Sequence, residues 1–169
     1  MSVGRVVWIT GLPGVGKTSI GAALLGRLRQ SGIQTVQLDG DEMRRVLWPD
    51  AGYDEATRRE LASAYARLAV SVARQDTIVI VTAVALFAEV RGWLAAHAPA
   101  YLEVLVQCPE AQRVGRVPTM GRRGPEVGRE LPAELPLRPD LVIDNRGGPE
   151  SIAAHARQIA ACLHERQTV

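Results

Sequence analysis

The sequence contains a single lysine, two cysteines and no long run of either apolar or basic residues. No apolar stretch approaches the roughly 20 residues of a membrane span, and no basic region precedes an apolar signal segment at the N-terminus. The chain is therefore expected to be cytoplasmic, without a membrane partner. Cys108 and Cys162 are too few and too far apart for a disulfide framework or a metal cluster, and both read as small apolar side chains. His97, His155 and His164 lie in or near helix-like segments without ligand spacing, which places them on surfaces or at helix ends. A formal charge of +2 with 22% charged residues describes an ordinary surface, not a nucleic-acid binder, so any polyanion bound is small.

What is present is alternation. Five short apolar runs, 5–10, 33–39, 77–83, 101–107 and 140–144, are rich in β-branched residues and bounded by turn formers, so they read as strands. Between them Ile20, Leu24 and Leu28 mark one helical face, and Leu61, Tyr65, Leu68 and Val72 another; Ile152, Ile159 and Leu163 mark a last helix. This pattern is α/β: a parallel sheet of about five strands with helices on both faces and ligands at the carboxyl ends of the strands. The 169 residues fit one domain, 1–169. The irregular stretch at about 115–139, rich in Gly, Pro and Arg, reads as a lid segment.

The lone lysine explains itself in "GLPGVGKTS". Gly11, Gly16, Lys17 and Thr18 fit G-x-x-x-x-G-K-S/T between a predicted strand and a predicted helix, the setting of a phosphate-binding loop. Its glycines let backbone N–H groups turn toward phosphates, and the following helix adds the partial positive charge of its amino end. The expected ATP site is Gly11, Pro13, Gly14, Val15, Gly16, Lys17, Thr18 and Ser19, with Thr18 on magnesium. Lysine is a compact point charge on a flexible stem, which suits the β and γ phosphates where the wider fork of arginine does not. The fold expected is thus a three-layer P-loop NTPase fold. The strand "VIVTA" is apolar to its end, with no following Asp, which counts against a hydrolytic motor.

A second constellation follows the second strand. In "LDGDEMRR", Asp39 and Asp41 come at the edge that carries the phosphate loop. Phosphoryl transfer needs a group that orients the attacking hydroxyl and takes its proton. Asp41 is assigned that role, Asp39 the magnesium shell, and Arg44, one turn on, an anionic acceptor. The bland alternative makes Asp41 a helix cap and Arg44 its solvated partner.

Together "VVWITGLPGVGKTSI", "LDGDEMRRVL", "GYDEATRRE", "TIVIVTAVALF", "CPE" and "RPDLVIDN" resemble the adenylylsulfate kinases of sulfate assimilation over most of the chain. The resemblance implies magnesium ATP as phosphoryl donor and the 3′-hydroxyl of adenylylsulfate as acceptor. It implies that Asp41 activates the acceptor, that Arg44 and Arg58 contact acceptor phosphate, and that Phe87 lies beside the acceptor base. Departures fall on the acceptor side. Leu61, Ala62, Ser63 and Ala64 stand where the family has Asn-Ile-Arg-Arg, and Ala85 and Leu86 replace Ser-Pro. The segment "RVPTMGRRGPEVG" replaces a lysine-bearing lid pattern, with Arg116 and Pro118 still alignable. Arginines 113, 116, 122, 123 and 129 crowd the irregular stretch at about 115–139 and its entry, and Arg116 is the one assigned to the transferring phosphate. The acceptor is accordingly an anionic small molecule with a free hydroxyl: adenylylsulfate, another nucleotide derivative or an antibiotic-like alcohol. A nucleotide-binding regulatory module is the alternative outside enzymes, and a homodimer is left open as the assembly.

Overall fold

The computed structural model describes residues 4–116 and 124–165. Among the described residues five strands and six helices follow in the order β1 (Arg5–Thr10), α1 (Lys17–Gln30), β2 (Thr35–Asp39), α2 (Gly40–Leu47), α3 (Glu55–Ala73), β3 (Ile78–Thr82), α4 (Ala88–His97), β4 (Tyr101–Gln107), α5 (Glu110–Arg116), β5 (Leu141–Asp144) and α6 (Pro149–Glu165). The strands form one sheet in the order β2-β3-β1-β4-β5, and every pairing is parallel.

Strand β1 shows why these residues make a central strand. All six are buried, and alternate side chains serve two cores. Val6 and Trp8 pack with α3 and α4, while Val7 and Ile9 pack with α1 and α6. A strand covered on both faces has no polar side to show, which is why it reads as a continuous apolar run. The helical face of α1 is as expected, with Ile20, Leu24 and Leu28 buried. Helix α3 differs: it buries Leu61, Ala62, Tyr65, Ala66, Ala69, Val70 and Ala73, while Leu68 is 37% exposed. Alanines at 62, 66, 69 and 73 form the inner stripe because small side chains let the helix sit close to the sheet. Looking for the largest apolar residues therefore rotated the face away from its true position.

The topology sets the location of the site. After β3 the chain crosses from one side of β1 to the other, so the order of winding reverses next to β1. A crevice opens beyond the carboxyl ends of the strands at such a switch point. The register puts Asp39, the last residue of β2, opposite Thr82, the last of β3, and Thr82 opposite Ile9 of β1. The turn after β1 therefore shares an edge with Asp39 and Thr82. No helix among the described residues is long and apolar enough to cross a membrane.

Candidate active site

The loop between β1 and α1 is held open by its backbone. Gly11 and Gly16 have φ of 150° and 100°, where side chains are disfavoured. A Cβ on Gly11 would fall 2.2 Å from the Val106 carbonyl oxygen, and one on Gly16 would fall 2.4 Å from Asn145 Nδ2. Those close approaches are used: Asn145, 1% exposed at the end of β5, donates from Nδ2 to the Val15 carbonyl at 2.8 Å. Helix α1 starts at Lys17 with no side-chain cap and no acidic residue in its first turn. Its first N–H groups and its positive end are thereby left for an anion.

Lys17 is 8% exposed and its Nζ donates to the Leu12 carbonyl at 2.9 Å. Burial lowers its pKa to about 8, and the Asp41 and Asp39 carboxylates oppose that shift. The ammonium is therefore charged at neutral pH and only partly solvated. Asp39 Oδ2 accepts from Thr18 Oγ1 and Thr82 Oγ1, both at 2.7 Å, and Gln37 Nε2 donates to Thr82 Oγ1 at 3.3 Å. The other Asp39 oxygen accepts from the Asp41 and Glu42 N–H groups, capping α2. The cap of α2 is thus Asp39, and Asp41 is not spent on it. The Asp41 carboxylate is exposed at the cleft and takes no hydrogen bond from the described residues.

One cleft of about 1000 Å³ contains Lys17, Thr18, Asp39, Asp41, Arg44, Arg58 and Arg116. Its wall also includes Pro49, Tyr53, Leu61, Ala62, Tyr65, Val84 and Ala85. Arg44 donates to the Ala51 and Gly52 carbonyls and lies over the Tyr53 ring, 3.9 Å from its centroid. Arg58 donates from Nε to the Tyr53 carbonyl at 2.8 Å and from Nη2 to the Pro125 carbonyl at 3.1 Å. Burial, and then the nearby Arg44 guanidinium, lower the Arg58 pKa from its usual value. Tyr65 donates to the Gly40 carbonyl at 3.2 Å, and burial pushes its phenol up to about 12.

The structure brings Pro13, Gly14, Gly16, Lys17, Thr18, Ser19, Asp39, Asp41, Arg44, Arg58 and Arg116 to this one cleft, whereas Val15 is packed in the core at 2% exposure and Gly11 lies against the Val106 carbonyl instead of in the lining. It does not bring Phe87, which is 7% exposed in the core behind the wall with the Arg59 guanidinium 4.5 Å above its ring. The aromatic side chains that do line the cleft are Tyr53 and Tyr65. Arg113 is 4% exposed and bonded to Glu126, and Arg129 is paired with Glu110 at 2.7 Å. Arg122, Arg123 and Pro118 lie outside the described residues. Sequence reasoning also missed Thr82, read only as a strand former, and Asn145, which ends the run "RPDLVIDN".

A parallel sheet covered by helices on both faces, with a phosphate loop and a carboxylate that takes no hydrogen bond from the described residues lining one cleft, defines a P-loop kinase. The profile of the adenylylsulphate kinase family matches residues 3–144. The chain belongs to that family. It is 33% identical over 145 residues to an adenylyl-sulfate kinase of Chloroflexus aurantiacus, covering 82% of this chain and 78% of that protein. It is also 34% identical over 111 residues to a cytidine diphosphoramidate kinase of Campylobacter jejuni, covering 66% of this chain and 65% of that one. The structure of the Mycobacterium tuberculosis APS kinase in complex with AMPPNP and APS superimposes with a TM-score of 0.85 at 28% identity, over 98% of this chain and 99% of that one.

Proposed function

We propose that this protein transfers the γ-phosphoryl group of ATP to the 3′-hydroxyl of adenylylsulfate. The observation that carries the reading is that Lys17 and Thr18 share one cleft with Asp41, Arg44 and Arg58. Lys17 and the amino end of α1 hold the phosphates and neutralise charge that spreads onto the γ oxygens in the transition state. Asp41 orients the acceptor hydroxyl in line and accepts its proton. Arg44 and Arg58 hold the acceptor anion, and Arg116 closes on the transferring group as part of a lid at about 115–139.

The oxygen donors Thr18 Oγ1 and Asp39 Oδ2, 2.7 Å apart, fit a hard cation. The described residues form no cluster of three or more His, Cys, Asp or Glu able to hold a metal ion, which fits magnesium bound by one or two protein oxygens together with ATP and water. Magnesium supplies charge neutralisation at the β and γ oxygens when bound.

A second reading keeps the chemistry and changes the acceptor to another anionic nucleotide derivative. It is favoured by Leu61, Ala62 and Ala85 on the cleft wall, which present no polar group to an acceptor, and by the similarity to a kinase of cytidine diphosphoramidate. Incubation with γ-labelled ATP, magnesium and adenylylsulfate tests the first reading. The expected result is label on a 3′-phosphorylated product with equimolar ADP; neither product nor ADP, with both appearing once another anionic nucleotide derivative replaces adenylylsulfate, points to the second reading, and ADP with labelled inorganic phosphate alone reports hydrolysis.

A further inference from the structure

Arg113 and Glu126 form a buried ion pair that ATP chemistry does not require. Arg113 Nη1 donates to Glu126 Oε1 at 2.9 Å, and the two side chains are 5% and 8% exposed. The same nitrogen reaches the Pro13 carbonyl of the phosphate loop at 3.5 Å. Arg129 adds a weaker contact to the other Glu126 oxygen at 3.8 Å, and Glu110 lies 3.9 Å from Arg113. Two desolvated charges are a costly filling for a space that apolar side chains would seal as well, so stability does not account for the pair.

Position does. Glu126 opens a turn closed by Gly128 N–H on the Leu131 carbonyl at 2.8 Å and by Glu130 and Leu131 N–H on the Glu126 carbonyl at 2.8 and 3.0 Å. The turn sits on the phosphate loop: a Cβ on Gly128 would lie 2.6 Å from Leu12 Cδ2. Its other end touches the acceptor side, where Arg58 donates to Pro125 and a Cβ on Gly124 would lie 2.2 Å from Tyr53 Cβ. Residues 124–131 therefore form a strap with one end on each half of the cleft. Two ion pairs tie this strap to α5, Glu126 with Arg113 and Arg129 with Glu110; of these, Arg113 is buried and also reaches the Pro13 carbonyl of the phosphate loop, and its planar fork fixes direction as well as distance.

We propose that Arg113 is a positioning residue which, through Glu126, holds the phosphate loop and the acceptor-side wall in one register, so that nucleotide binding orders the acceptor half before the acceptor arrives. The proposal rests on the phosphate loop holding ATP, and its test separates the two. Hydrogen exchange is followed in the whole protein with and without magnesium AMPPNP, so that no turnover or acceptor is involved. Slowed exchange at residues 11–18 reports nucleotide binding; its absence removes the kinase reading. In the wild type the amides of Gly128, Glu130 and Leu131 slow by at least about fivefold, the lower end of ordinary coupling between sites.

Glu126→Gln keeps the shape and loses the charge. The double variant Arg113→Met with Glu126→Leu removes both charges together, which leaves neither buried unpaired and preserves the fold. Both variants should keep the response at 11–18 and lose most of the response at 128–131. A strap response equal to that of the wild type in either variant, or a wild-type strap that ignores bound nucleotide, overturns the proposal.

Discussion

On the nucleotide side of the cleft the functional groups are held by the fold: Lys17 on the Leu12 carbonyl, Thr18 and Thr82 on Asp39, and the Val15 carbonyl by Asn145. On the acceptor side Arg44 and Arg58 rest on carbonyls of the 51–53 turn and on Pro125, beside apolar Leu61, Ala62 and Ala85. Under the proposed function the first half is preorganised for one ligand, a polyphosphate. The second offers two cations and two phenol rings to whatever anion fits. On that reading a donor site can be retained while the acceptor site diverges, because the two draw on different segments.

Substitutions on each side should separate these halves. The largest effect is expected from Lys17→Ala, which removes the loop's one side-chain cation and should cut turnover by about 10³ or more, the scale of a lost transition-state charge contact. Lys17→Arg should recover little of it, since the wider guanidinium does not fit a cradle shaped for a point charge. Steady-state ADP release checks both, and near-normal turnover in Lys17→Ala would erase the distinction between the halves. Asp41→Asn comes next: turnover should fall by roughly 10² while AMPPNP affinity stays within a few fold, because the group acts on the acceptor proton. If nucleotide affinity falls in step with turnover, Asp41 belongs to the donor side.

Arg44→Ala and Arg58→Ala should each raise the KM for the acceptor by roughly tenfold or more, with KM for ATP unchanged; a charge-assisted hydrogen bond is worth about 1.5 to 3 kcal/mol. Equal losses on both substrates would show that these guanidinium groups shape the whole cleft through Tyr53 and Pro125. The smallest effect is in pH. The folded Lys17 value, about 8, lies below the ordinary 10.5. Between those values the unfolded chain keeps a proton that the folded chain has released, so the free protein gains stability as pH rises through that window and carries the full penalty below it. Phosphate binding needs the charged form, so AMPPNP affinity should weaken above about pH 8, approaching about tenfold per unit. Titration calorimetry from pH 7 to 9.5 reads this directly, and a flat profile would mean that Lys17 is not buried as described.

The unequal legibility of the two halves has the same origin. A phosphate loop is a backbone device, so Gly11, Gly16, Lys17 and Thr18 spell it at fixed spacing. The strands are equally plain as apolar runs, and all five, the half-exposed edge strands β2 and β5 included, appear within two residues of where those runs end. The acceptor wall is a mosaic from 44–65, 82–85 and 124–127, and spacing along the chain says nothing about which of its members face inward. Phe87 illustrates this: one position in the α4 entry decides whether a ring enters the cleft or the core, and Arg59 covers it from outside. The buried face of α3 is built from alanines, which carry little apolar signal, and Arg113 looks like one of several loop cations in sequence because its partner is 13 residues on.

The most direct test of the account compares kcat/KM for adenylylsulfate and for cytidine diphosphoramidate at saturating magnesium ATP. The proposed function predicts a clear preference for adenylylsulfate, with ADP and the 3′-phosphorylated product formed in equal amounts. A preference for the cytidine derivative, at intact AMPPNP affinity, would contradict it and would show that the apolar wall at Leu61, Ala62 and Ala85 had changed the acceptor while the donor half stayed as it was.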